Sequence, residues 1–134
     1  MQVLLTTCTA EKDPTPDLLP AIHRYIHPRI EAAVELAASR RLPLFIFSGF
    51  LGLLDAHTPI PLYDKALQPI EAAPAARALA RTLRQRGITQ ITALLERQTA
   101  PGWAPYWAAI EGGCEEATVG LTVELWTPRV SRGS

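Results

Sequence analysis

Leu42-Pro-Leu-Phe-Ile-Phe47 is an apolar run that gives way at once to Ser48-Gly-Phe-Leu-Gly-Leu-Leu-Asp55. A run with no polar alternation suits a strand covered on both faces, as in a parallel sheet packed by helices. In open α/β sheets, ligands bind in the crevice beyond the carboxyl ends of the strands. The polar, glycine-bearing segment that begins at Ser48, with Pro61-Leu-Tyr-Asp64 after it, falls at that edge. One stretch of sequence therefore suggests both a fold class and the place of a site.

The rest of the chain repeats the theme. Val3-Leu-Leu5 is a second continuous run, followed by a Thr-, Asp- and Pro-rich loop from Thr6 to Pro20. Ile22, Ile26, Ile30, Val34 and Ala37 keep a helical stripe. Pro28 lies inside it, and proline is favoured at a first helical position but costs about 3 kcal/mol in an interior. The main helix is therefore expected from Pro28 to Arg40, with Ala21 to His27 as a separate turn. Ser48 to Pro69 reads as one long loop. Glu71 to Arg86 reads as a helix closed by Gly87, Ile88 to Leu95 as a strand, and Pro101 to Ile110 as a helix stopped by Gly112-Gly113. The alternating Ala117 to Leu125 reads as an edge strand, and the tail from Thr127 as frayed. The expected fold is α/β: a three-layer α/β/α sandwich with a four-stranded, mainly parallel sheet, forming one domain over residues 1–126.

Bulk properties narrow the function classes. Lys+Arg and Asp+Glu are equal at 13 each, so no net charge draws the chain to nucleic acid or anionic membranes. No apolar stretch reaches the roughly 18 residues that span a bilayer. Cys8 and Cys114 are too few for a disulfide framework, and reduced thiols in a cytoplasmic protein are expected.

Several residues carry candidate chemistry. Thr7, Cys8, Thr9 and Lys12 follow the first strand, where hydroxyls, backbone N–H groups and an ammonium would cradle an anion. The same loop reads equally as a solvated strand end with Cys8 turned inward. Gly49 and Gly52 would let a ligand approach the backbone. Asp64 reads equally as a base or polar anchor beside Tyr63 and as a cap on the turn that follows, and Asp55 reads more simply as a turn cap. His23 and His27 have the i, i+4 spacing of a metal pair, but no third ligand is evident, and no metal or cofactor is expected. Arg77, Arg81 and Arg84 run down one helix face, either toward phosphates or, more simply, toward solvent. Trp103, Tyr106 and Trp107 cluster near the start of the last helix and would stack a flat base, pack the core or form a dimer contact.

Cys8-Thr-Ala-Glu-Lys12, Tyr25-Ile-His-Pro-Arg-Ile30, Ser48-Gly-Phe-Leu-Gly-Leu-Leu54 and Ile60-Pro-Leu-Tyr-Asp64-Lys-Ala-Leu67 stand in that order. Together they resemble a bacterial and phage family of unknown function with Cys-x-x-x-Lys, a Tyr-x-Ser-Pro-like step, Ser-Ala-x-x-Gly-Leu-Leu and Pro-Tyr-Asp motifs. The likeness covers the first half of the chain, with Tyr106 as a weaker match beyond it. That family resembles the core domain of archaeosine synthase and the uracil-DNA-glycosylase-like fold. The resemblance implies a nucleobase or nucleoside pocket with Ser48, Tyr63 and Asp64 in its lining. The chain departs at Gly49, where Ala is usual, at His27, where Ser is usual, and at the added Leu62.

The expected function is binding of a nucleobase, nucleoside or nucleotide, with Asp64 and Ser48 as candidates for chemistry at an N-glycosidic or amine centre. The alternative is a non-catalytic module that binds protein or nucleic acid.

Overall fold

The computed structural model describes residues 1–128. Residues 129–134, most of the tail expected to fray, lie outside the described residues. The elements are β1 (Gln2–Thr7), β2 (Leu19–Pro20), α1 (Ala21–Arg24), α2 (Pro28–Arg40), β3 (Leu44–Ser48), β4 (Gly52–Asp55), β5 (Pro59–Ile60), a 3₁₀ turn (Pro69–Glu71), α3 (Ala72–Gln85), β6 (Gln90–Leu95), α4 (Ala104–Ala117) and β7 (Gly120–Leu125). None of the helices among the described residues is long and apolar enough to cross a membrane.

The main sheet has five strands in the order β4-β3-β1-β6-β7. β3, β1, β6 and β7 are parallel, and β4 runs antiparallel to β3. The expected count of four strands is thus one short. The missing strand lies inside the segment read as one loop, where Ser48 pairs with Gly52 across a tight reversal. Gly52 makes that reversal possible, since its φ of 81° is one that L-residues rarely adopt. The same segment supplies β5, which pairs with β2 in a separate ribbon.

Alternate residues of the buried strands feed different cores, as a period of two requires. Val3, Leu5, Phe45, Phe47, Ile91 and Leu95 pack with Leu79 and Leu83 of α3 and Ile110 and Cys114 of α4. On the other face Leu4 and Leu94 pack with Ala33 and Ala37 of α2, and Ile46 packs with Ile30. The buried side of α2 is therefore Arg29, Ile30, Ala33 and Ala37. Ile26 and Val34, assigned to the stripe from sequence, are exposed. His27 starts α2 by accepting the Arg29 N–H on Nδ1 at 3.0 Å, with Pro28 at the first helical position.

Gly112-Gly113 does not stop α4, which continues to Ala117. A β-carbon on Gly113 would lie 2.8 Å from Leu79 Cδ2, and one on Gly112 would lie 3.1 Å from Ala76 Cβ. These glycines serve close contact between α3 and α4, which outweighs their poor helix propensity. α4 ends at Thr118, which takes the left-handed conformation in place of a glycine.

Candidate functional site

β1 leads into α2 on one face of the sheet, and β6 leads into α4 on the other. Adjacent parallel strands whose connections leave to opposite faces open a crevice at their carboxyl ends. A cleft of about 300 Å³ lies there. Thr7, Cys8, Thr9 and Ala10 supply the wall after β1, and Glu96 the wall after β6. Gly102, Trp103 and Tyr106 close it from the start of α4, while Lys12, Asp64 and Lys65 come from the loops. His27 and Arg29, at the start of α2, complete it.

Arg29 organises this cleft. It is 2% exposed, and its guanidinium donates to Thr6 Oγ1 at 2.6 Å, to the Thr7 carbonyl at 3.0 Å and to the Cys8 carbonyl at 3.4 Å. These bonds fix the carboxyl end of β1. Its Nε has no hydrogen-bond partner, and Glu96 Oε2 lies 3.6 Å away. The Trp103 ring covers the guanidinium, with Cζ 4.8 Å from the ring centroid. Burial lowers the Arg29 pKa and nearby Glu96 works against that shift. Burial, then the Arg29 charge, also holds His27 below the usual imidazole range. His27 Nε2 is 3.9 Å from Glu96 Oε2. Trp107 Nε1 donates to the Glu96 carbonyl at 2.8 Å and ties the end of β6 to α4.

The sequence-derived candidates divide into two groups. Thr7, Cys8, Thr9, Lys12, Asp64 and Tyr106 line the cleft. Asp64 stands exposed in its wall. Lys12 Nζ donates to the Thr9 carbonyl at 2.8 Å and rests 4.7 Å from the Tyr63 ring centroid. Tyr106 Oη accepts the Leu67 N–H at 3.1 Å and lies 3.5 Å from Cys8 Sγ. Its pKa is raised, chiefly by burial.

Ser48, Gly49, Gly52 and Tyr63 do not line the cleft. Ser48 is buried, and its Oγ accepts the Phe50 and Leu51 N–H groups at 3.2 and 2.9 Å, shaping the turn into β4. The Tyr63 hydroxyl meets Ser48 Oγ at 2.8 Å and the Tyr25 hydroxyl at 2.5 Å. Burial raises the pKa of Tyr63, and that of Tyr25 to about 12. These residues shore up the loop that carries Asp64. Gly49 faces Leu67 rather than the cleft. Asp55 Oδ1 accepts the His57 N–H at 2.9 Å, which is a turn cap.

His23 is exposed on α1 while His27 caps α2, and among the described residues no cluster of three metal-ligating side chains occurs. Arg77, Arg81 and Arg84 are exposed, and Arg84 donates to the Glu116 carbonyl at 2.5 Å.

Sequence reasoning missed Glu96 and Arg29. Glu96 carries a signal, being the first polar residue after the run Ala93-Leu-Leu95, as Ser48 is after Phe47. Arg29 carries a subtler one: it falls at i−4 from Ala33, so a charge sits in line with the buried Ala33 and Ala37 of α2.

Fold and cleft together define an α/β protein with a mainly parallel sheet and a polar, aromatic-walled crevice at its switch point. Comparison of the chain with protein-family models, with curated proteins and with solved structures finds no match.

Proposed function

We propose that this protein binds a nucleobase, nucleoside or nucleotide in the cleft between the ends of β1 and β6. The observation that carries the reading is the composition of that cleft. It joins an aromatic wall, Trp103 and Tyr106, to a cation, Lys12, and two carboxylates, Asp64 and Glu96, around about 300 Å³. This lies at the lower end of the range for small-molecule sites, roughly 300–1,000 Å³. A flat base offers a face to an aromatic ring and an edge to carboxylates, and a phosphate or ribose offers oxygens to an ammonium. The sequence motifs that resemble nucleobase-handling proteins contribute Cys8, Lys12 and Asp64 to the same walls. Chemistry at an N-glycosidic or amine centre needs a positioned carboxylate, and in this reading Asp64 supplies it. Packing of α2 on one sheet face and of α3 and α4 on the other supports a three-layer α/β/α arrangement. The free thiols of Cys8 and Cys114 fit a cytoplasmic setting.

The test is a thermal-shift panel of nucleobases, nucleosides and nucleotides on the wild type, Asp64→Asn and Lys12→Met. A ligand at a hundred times its Kd stabilises by about 2.7 kcal/mol, a shift of several degrees for a chain this size. At least one compound is expected to raise the midpoint, with a smaller rise in the variants. A flat response across the panel would refute the proposal.

A further inference from the structure

Glu96 is the one cleft residue whose charge is explained but whose hydrogen bonds are not. Among the described residues it is the only carboxylate within ion-pair distance of buried Arg29, whose other partners are a hydroxyl and two carbonyls. Arg29 is buried to 2% exposure, and the Glu96 carboxylate is the opposite charge that lies beside it. Yet the contacts to Arg29 Nε and His27 Nε2, at 3.6 and 3.9 Å, are too long to be hydrogen bonds. A carboxylate has about four acceptor sites on its two oxygens. Here no side chain or backbone N–H among the described residues occupies any of them. The side chain is three-quarters buried, at 25% exposure, and lines the cleft beside Trp103.

A largely buried carboxylate with unused acceptors, set beside a buried arginine, is a receptor for N–H donors. It accepts and cannot donate, so a ligand carbonyl facing it would be repelled. Asp64 is a poorer reader of the ligand edge, because it is exposed and water competes for it. We propose that Glu96 is the ligand-recognising carboxylate of this cleft and takes an exocyclic amino group of the bound base, with Arg29 as its positioning residue. The inference rests on the nucleobase reading above and adds the class of base.

Two ligand pairs isolate the amino group: adenosine against purine riboside, and guanosine against inosine. Within each pair the amino group is the only difference. Calorimetric titration of the wild type is expected to show the amino member of at least one pair binding about tenfold tighter, the lower range of a good edge contact. Glu96→Leu removes the acceptors at similar volume, and should collapse that preference, read as the ratio of the two affinities within a pair, to below about twofold. Should Glu96→Leu fail to fold, Glu96→Gln keeps one acceptor without the charge, and an intermediate preference is expected. Equal binding within both pairs by the wild type overturns the inference and leaves the nucleoside reading standing. So does a preference that survives undiminished in Glu96→Leu or, where that variant does not fold, in Glu96→Gln. Binding of none of the four nucleosides overturns the inference, and a flat response across the wider thermal-shift panel overturns the nucleobase reading with it.

Discussion

Gly49→Ala is the sharpest test of how the cleft is supported. A β-carbon at Gly49 would stand 2.6 Å from Leu67 Cβ, 3.1 Å from Leu67 Cα and 3.2 Å from Leu67 N. Two of those atoms are backbone, so no rotamer change relieves the contact. The Leu67 backbone is itself tied, its N–H donating to Tyr106 Oη at 3.1 Å. Relief must therefore move either the turn after β3 or the segment that holds Tyr106. Overpacking of this kind costs roughly 1–3 kcal/mol. A lost hydrogen bond to Tyr106 adds about 0.5–1.5 kcal/mol. Against these, alanine at a position without positive φ recovers roughly 0.4–1 kcal/mol by restricting the unfolded chain. The net expectation is a loss of about 1–3 kcal/mol. Urea denaturation monitored by tryptophan fluorescence would read it as a lower midpoint with unchanged slope. If the cleft binds a ligand as proposed, weakened binding should accompany it, because Tyr106 lines the cleft. A variant as stable as the wild type would refute the claim that Gly49 is required for close approach to Leu67.

Tyr63→Phe keeps the ring beneath Lys12 but leaves Tyr25 and Ser48 without their shared partner, and should destabilise by about 1–3 kcal/mol in the same assay. Gly113→Ala should destabilise more than Gly112→Ala, because its β-carbon meets three Leu79 atoms at 2.8–3.0 Å rather than one Ala76 atom at 3.1 Å. A helix-propensity gain of about 1 kcal/mol offsets both, so Gly112→Ala should fall near neutral. The folded pKa of His27 lies below its unfolded value, so its contribution is complete above about pH 6.5. That contribution is lost as pH falls from there toward the folded pKa, when Nδ1 gains a proton and can no longer accept from Arg29 N–H. Urea denaturation should therefore show lower stability at pH 5.5 than at pH 7.5. In His27→Ser, which caps without titrating, the part of the difference due to this residue should vanish.

The parallel core was legible because it rests on local pattern. Buried strands leave continuous apolar runs, and Pro28 and Gly87 mark helix ends through chain stereochemistry that no tertiary contact alters. β4 was not legible, because Gly52-Leu-Leu-Asp55 is too short to show a period and owes its strand conformation to pairing with β3. Gly112-Gly113 misled for a related reason. Glycine signals a helix stop locally, and only the proximity of α3 reveals that the lack of a side chain is what the position needs. In the site, the logic of strand ends pointed to the edge where the cleft lies and to Thr7, Cys8, Thr9 and Lys12 in its lining. It could not separate residues that face the cleft from those that brace it. Ser48 and Tyr63 are polar, near the right edge and turned away from the cleft, a distinction made by side-chain direction rather than residue type.

Arg24 gives the segment from Asp13 to Asp17 an unusual kind of specification. Fully buried, it donates to the carbonyls of Asp13, Thr15 and Asp17 at 2.6, 2.8 and 2.5 Å, and reaches toward that of Ile60 at 3.4 Å. Every grip is on main chain. The path of this segment is thus written largely in one residue outside it. Apart from Asp13, whose Oδ1 accepts the Thr15 N–H and hydroxyl at 2.9 and 2.6 Å, side chains there can be exchanged while the trace is preserved, whereas adding or deleting a residue would shift the carbonyls out of reach of a guanidinium that cannot follow. The segment is open to variation in composition and closed to variation in length.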